Sequence, residues 1–232
     1  MDNDKYIGKW VKPYDDSLKA QVGRGPPNDM KIIAEDILQK LKIEIEDIVL
    51  DVCCGNGLIT KIIAENCKEV HGVDFSEILI NTAKEKESAA NIYYHVENAL
   101  NIDKLFPEDF FDKVYCYFSL QHINHRDAGR LIERLSKVTK PKGAILIGDI
   151  PDKRRKWTGW YNTWRKRVGY LRENMYRRIF GKEGEDSFGW WYHPNKIRKI
   201  CKKLNLRCEI LEQDKRLPHA HYRFDAIISK KP

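Results

Sequence analysis

Residues 47–149 alternate short apolar runs with amphipathic segments, and this alternation limits what the chain can fold into. DIVLDV (47–52), EVHGVDF (69–75), IYYHVE (92–97), FDKVYCYF (111–118) and AILIGDI (144–150) have strand length and strand composition. Between them, LITKIIAENC (58–67), EILINTAKEKESAA (77–90) and DAGRLIERLSKVTK (127–140) carry apolar residues at helical spacing. Pro141 and Gly143 cannot continue the last of these helices. Apolar strands alternating with helices predict an α/β fold with a mostly parallel, doubly wound sheet covered on both faces.

The flanks extend this pattern. NDMKIIAEDILQKL (28–41) reads as a helix capped by Asn28 or Asp29, and PNKIRKICKKL (194–204) as one with proline in its first turn. LRCEILEQ (206–213) and YRFDAIIS (222–229) alternate enough to be two final strands, seven in all. The 232 residues are 42% hydrophobic, enough for one buried core. The expectation is a single domain over 1–232, with an N-terminal cap at 1–42 and an insertion after the fifth strand at 151–192.

No apolar run is long enough to span a membrane, and the first residues lack an apolar signal core, so a cytoplasmic location is expected. The six cysteines form no C-x-x-C pair and have no zinc-finger spacing, which favours reduced, buried thiols and no metal. The net charge of +8 is regional. Residues 153–182 hold eleven Lys/Arg and one acid, which leaves the remainder at −2.

Between the first strand and its helix lies Asp51-Val52-Cys53-Cys54-Gly55-Asn56-Gly57. Glycines there let backbone amides approach a ligand closely. Asp51 ends the strand, where a carboxylate can face an ammonium group. Asp74 ends the next strand, where a carboxylate can accept both hydroxyls of a ribose. A dinucleotide fold shares the second acid but wants a third glycine, where this chain has Thr60. The local chemistry therefore favours S-adenosylmethionine (SAM) over a dinucleotide.

On these residues the sequence resembles the class I SAM-dependent methyltransferases. Residues 49–60 match that family's D-x-G-x-G-x-G motif, with Cys53 in place of the first glycine. VDFSE (73–77) resembles its ribose-binding segment, ENA (97–99) the segment that usually carries an acid where Asn98 stands, and YFSLQHI (117–123) the stretch after the fourth strand. The resemblance covers about residues 30–150. It implies a Rossmann-like methyltransferase fold and SAM as cofactor. It implies a cofactor site of Asp51, Cys53, Gly55, Gly57, Asp74 on the ribose, Phe75 and Leu79 at adenine, Asn98, Ala99, Tyr117 and Phe118. AQVGRG (20–25) is similar to a segment of methyltransferases that accompany glycan or surface-polysaccharide synthesis. In that flank Tyr14 and Arg24 could close over the methionine carboxylate.

Methyl transfer from SAM is an in-line displacement, so alignment supplies much of the rate. A base matters when the acceptor is a hydroxyl. His122, after the fourth strand at the carboxyl end of the sheet, is the first candidate. His193, His219, His221, Tyr222 and Arg223 are candidates for holding a substrate, with His219, His221 and Arg223 on one face if their segment is extended. In the insertion, Trp157, Trp160, Tyr161, Trp164, Val168, Leu171 and Met175 fall on one helical stripe amid basic residues. Three uses compete for it: a lid packed on the domain, recognition of an anionic substrate, or peripheral membrane contact through 157–180. The leading expectation is O-methylation of a small molecule, a sugar, glycan or anionic, lipid-linked intermediate. The alternatives are an RNA methyltransferase and a non-catalytic SAM-binding partner. Nucleic acid is disfavoured because YFSLQH carries neither an Asn/Asp-Pro-Pro-aromatic nor a Pro-Cys motif.

Overall fold

The computed structural model describes residues 27–181, 186, 188–217 and 219–231. Seven strands form one sheet: β1 (Ile48–Val52), β2 (Glu69–Asp74), β3 (Ile92–Val96), β4 (Phe111–Tyr117), β5 (Thr139–Pro151), β6 (Leu206–Glu212) and β7 (Arg223–Lys230). Their order is β3-β2-β1-β4-β5-β7-β6, and only β7 runs antiparallel to its neighbours. The order reverses at β1, so a crevice opens beside its carboxyl end, where open α/β sheets bind ligands.

The helices are α1 (Pro27–Leu41), α2 (Leu58–Ala64), α3 (Glu77–Lys86), α4 (Ile102–Leu105), α5 (His125–Val138), α6 (Trp164–Ile179) and α7 (Pro194–Lys203). α1 begins at Pro27, ahead of the expected Asn28 or Asp29 cap. α3 stops at Lys86, short of the expected Ala90, and its cap is Ser76, whose hydroxyl accepts from the Leu79 amide. α5 begins at His125 because the Asn124 side chain accepts from the amides of Arg126 and Asp127.

Strand alternation sorts the core into two layers. Leu50, Val52, Val114 and Cys116 face α5 and α7, packing with Leu131, Ile132, Leu135, Ile197 and Cys201. Val49, Tyr115 and Tyr117 face the other way, toward Ile33 and Ile37 of α1 and Ile59 and Ile63 of α2. Burying both faces is what makes these strands read as nearly continuous apolar runs.

The insertion is where structure and sequence expectation part. The stripe from Trp157 to Met175 is not one helix. Lys156–Trp160 is a single π-helical turn, and α6 starts afresh at Trp164, capped by the Thr163 hydroxyl. The break has a packing cause. Gly159 lies against Tyr222, and a Cβ on it would stand 2.4 Å from the Tyr222 Cβ. The insertion has its own small core of Tyr161, Trp191 and Tyr222, flanked by Trp160, Tyr170 and Phe188. Lys156 is buried beneath it, 2.8 Å from Asp186, with its ammonium 4.7 Å from the Tyr170 ring centroid and 5.4 Å from that of Trp191. The segment returns to the sheet through Tyr192, whose amide donates to Pro151 O and whose hydroxyl donates to Ile123 O.

Candidate active site

The turn after β1 is drawn against β2 by two bonds, as the amides of Cys53 and Cys54 both donate to Val73 O. Cys53 has φ 63°, a left-handed conformation that a glycine adopts freely and a cysteine adopts at a cost of about 1–3 kcal/mol. Gly55 has φ 58°, with no heavy atom within 4 Å of where a Cβ would stand. Gly57 is the reverse case, for a Cβ there would lie 2.3 Å from the Tyr94 hydroxyl. One glycine thus keeps a cradle open, and the other lets Tyr94 pack beneath it.

Two buried carboxylates flank this turn. The amides of Gly55 and Ser76 donate to the two oxygens of Asp74, at 3.0 and 2.9 Å. Burial raises the Asp74 carboxyl above the ordinary carboxylate range, against the pull of those amides. Asp51 accepts from the Thr60 hydroxyl at 2.6 Å, and burial pushes it up to about 7. The residue that breaks the dinucleotide pattern therefore has a defined job: Thr60 orients Asp51.

The other expected cofactor residues are placed as follows. Phe75 is partly buried between β2 and α3, and Leu79 is buried on α3. Asn98 caps the 3-10 turn Ala99–Asn101, its side-chain oxygen accepting from the Leu100 amide. Phe118 follows β4 with φ 62°. Tyr117 is turned away, contrary to expectation. Its ring is buried with the α1 core, its hydroxyl donates to Asp36 and accepts from Gln213, and a Cβ on Gly148 would stand 2.1 Å from the ring. Tyr14 and Arg24, with the segment 20–25, lie outside the described residues.

His122 sits in a 3-10 turn, Leu120–His122, after β4. Its Nε2 is 3.1 Å from Gln121 Nε2, and Gln121 Oε1 accepts from Arg223 at 2.9 Å. Arginine has only donors to offer, so that contact fixes which end of the Gln121 amide faces His122. The amide must donate, so Nε2 accepts and the neutral ring keeps its proton on Nδ1. Arg223 also donates to the Asp149 backbone oxygen and carboxylate. Asp149 occupies a bulge in β5, with φ 60°, where the register against β7 shifts between Ile147 and Ile150. The line Asp149–Arg223–Gln121–His122 thus joins β5, β7 and the turn after β4. Sequence reading missed Gln121, which has no motif of its own. It ties the insertion down as well, since its backbone oxygen accepts from the Trp190 amide at 2.8 Å.

The polar network continues under α1. Gln213 reaches Asp149 and Asp225, and Lys40 bonds Asp225 at 2.5 Å and Asp36 at 2.7 Å. Burial outweighs Lys40 and holds Asp225 up at about 6.

His219, His221 and Arg223 do not share a strand face. Ala220–Tyr222 is a 3-10 turn, and β7 starts only at Arg223, which is fully buried. His221 is exposed and edge-on to Tyr222, while His219 is partly buried beside Tyr222 and Trp160. His193 is not near these rings in role: its Nδ1 accepts from the Asn195 amide and caps α7. Trp160, Phe188, His219 and Tyr222 form one aromatic wall, and the Arg223 guanidinium lies 4.7 Å from the Phe188 centroid. Among the described residues, no group of three His, Cys, Asp or Glu could hold a metal ion. None of the helices described is long and apolar enough to cross a membrane.

Comparison with known proteins agrees with this geometry. Residues 49–143 match the family model of a methyltransferase domain. A ubiquinone biosynthesis O-methyltransferase of Coxiella burnetii is 32% identical over 126 residues, covering 53% of this chain and 50% of its own length. The chain spans about half the length of the curated relatives it matches, from 38% to 56%. Among solved structures, a Pyrococcus horikoshii protein superposes with a TM-score of 0.66 at 19% identity, covering 98% of this chain and 99% of its own. Magnesium protoporphyrin IX methyltransferase of Synechocystis, solved with SAM bound, superposes with a TM-score of 0.59 at 14% identity, covering 99% and 91%. The fold is therefore the Rossmann-like fold of the SAM-dependent methyltransferases, and the stretch that matches a methyltransferase domain holds β1 to β4 and the turn after β1. The cofactor is SAM. The residues present fit that group: an open cradle at Gly55, a carboxylate at the end of β2 for a diol, and a second at the end of β1 for an ammonium.

Proposed function

We propose that this chain transfers a methyl group from SAM to a hydroxyl of a small-molecule acceptor, a sugar or an anionic glycan intermediate. The observation that carries the reading is the Asp74 carboxylate held by the Gly55 and Ser76 amides beside the open turn. The cofactor supplies a methyl on a good leaving group, which leaves the protein to bind, align and exclude water. In this reading Asp74 takes the ribose hydroxyls, Asp51 faces the ammonium, and Phe75, Leu79 and Asn98 surround adenine.

The acceptor lies against the aromatic wall of Trp160, Phe188, His219 and Tyr222. Such rings suit the C–H faces of a sugar, and the basic insertion suits an anionic group on the same molecule. The name of the Coxiella relative, an O-methyltransferase, supports a hydroxyl as acceptor. His122 accepts the hydroxyl proton at Nε2, with the acceptor oxygen replacing the Gln121 amide there.

Two measurements separate the parts of this reading. Calorimetry should show SAM binding that Asp74→Ala abolishes, and equal binding by that variant would sink the cofactor assignment. Methyl transfer from labelled SAM should then be tried on nucleotide sugars, glycan intermediates, quinols and RNA. Label entering only quinols or RNA would overturn the sugar assignment while leaving the cofactor site standing. No transfer to any of them would support the non-catalytic alternative instead.

A further inference from the structure

The largest feature that the proposed chemistry leaves unused is the apolar stripe of α6. The sixteen residues of this helix include no fully buried side chain. At 100° per residue, Trp164, Val168, Leu171, Met175 and Ile179 fall within about 80° of one another, a single narrow stripe. Amphipathic helices ordinarily turn such a stripe inward. Here Trp164 is 73% exposed, Leu171 65%, Met175 64% and Ile179 70%.

The contacts explain the inversion. The helix is held to the insertion by its other side. Lys166 lies 5.1 Å from the Trp160 centroid, Arg167 donates to the backbone oxygens of Tyr161 and Trp157, and Tyr170 packs edge-on against Trp157 and Tyr161. With those residues facing the body, the apolar stripe must face away. Arg165 and Arg172 border it on one side and Arg178 on the other, all three exposed.

We infer that this outward face of α6 docks the protein on an anionic membrane surface. The helix has the make-up of one that lies in a lipid interface: a tryptophan and long aliphatic side chains on one face, arginines at both margins. At about 1.5 Å per residue it is about 24 Å long, suited to lying flat and too short to span. Charge complementarity selects the occupant. A second copy would bring another arginine-bordered stripe against the first, whereas anionic headgroups meet the arginines as the apolar side chains enter the acyl boundary. The insertion leaves and rejoins the sheet at the carboxyl end of β5, through Asp152 and Tyr192, so docking would turn the cofactor side of the molecule toward the lipid. The inference is independent of which acceptor is methylated.

Co-sedimentation of the full chain tests it, using vesicles of phosphatidylcholine alone and of phosphatidylcholine with phosphatidylglycerol. Binding should appear only with the anionic lipid, weaken with added salt, and shift the tryptophan fluorescence of the chain to the blue. The pairs Leu171→Glu with Met175→Glu, and Arg165→Glu with Arg172→Glu, should each reduce the bound fraction about tenfold or more. SAM affinity and circular dichroism should stay unchanged, because these side chains support nothing inside the fold. Failure to bind anionic vesicles would overturn the inference, as would equal binding by both variants. So would a wild-type dimer that Leu171→Glu separates, which would assign the face to a second copy.

Discussion

α5 and α6 are nearly equal in length, and both carry an apolar stripe at helical spacing, yet they use it in opposite ways. α5 buries Leu131, Ile132, Leu135 and Val138 completely against the sheet. α6 turns Trp164, Leu171, Met175 and Ile179 outward. The difference lies in what each helix is tethered by. α5 is set by the strands on either side of it, which leave it one way to lie. α6 is set by Arg167 and Tyr170, which bind the π-turn and its aromatic core from what would otherwise be the helix's solvent face. Periodicity says which residues share a face, and tethering says where that face looks.

The seam between the two regions should be the most sensitive point. Arg223 is fully buried and joins Asp149 to Gln121, the residue that also receives the Trp190 amide of the insertion. Arg223→Ala leaves the Asp149 carboxylate buried without its cation and should cost about 3–5 kcal/mol in denaturant unfolding. A loss under about 1 kcal/mol would mean the insertion and the sheet are not joined through this line.

The helices themselves give the next effect. Leu135→Ala should destabilise the fold by about 2–5 kcal/mol, and Leu171→Ala by no more than about 0.5 kcal/mol. Equal losses would erase the distinction between the two stripes.

The smallest effect concerns the cofactor side alone. Asp51 is held up at about 7 by burial, so its neutral form dominates below that pH in the free protein. A ligand ammonium favours the ionised form, so SAM affinity should rise by about tenfold between roughly pH 6 and pH 8. Asp51→Asn should flatten this profile, and an unchanged slope would remove Asp51 from the ammonium. The same raised pKa means that stability contributed by Asp51 is present at low pH and is lost as pH rises through about 7. Heating scans across that range would show it.

Much of the sheet and the cofactor turn was legible in the sequence. The central strands β1 and β2 are short apolar runs, because they are buried on both sides, and acids stand at their ends, where a ligand can meet them. The acceptor side was not legible. Tyr117 follows an apolar strand in a segment that resembles a cofactor contact, but the register of β4 against β5 sends its ring under α1. His219, His221 and Arg223 alternate like a strand face, but the chain turns at Ala220–Tyr222 to place Tyr222 over Gly159. Gln121 lies in the YFSLQHI stretch, but nothing there marks it out from its neighbours, because its role depends on Arg223, 102 residues away.

The sequence by itself determined the sheet, the glycine turn and the two carboxylates beside it, since these depend on local spacing and on strands that have no choice but burial. Tertiary structure alone decided the chain of bonds from Asp149 to His122, the break at Gly159 and the outward stripe of α6. Each of those depends on contacts between segments far apart in the chain, and no local period encodes which way a helix is turned once something else holds it.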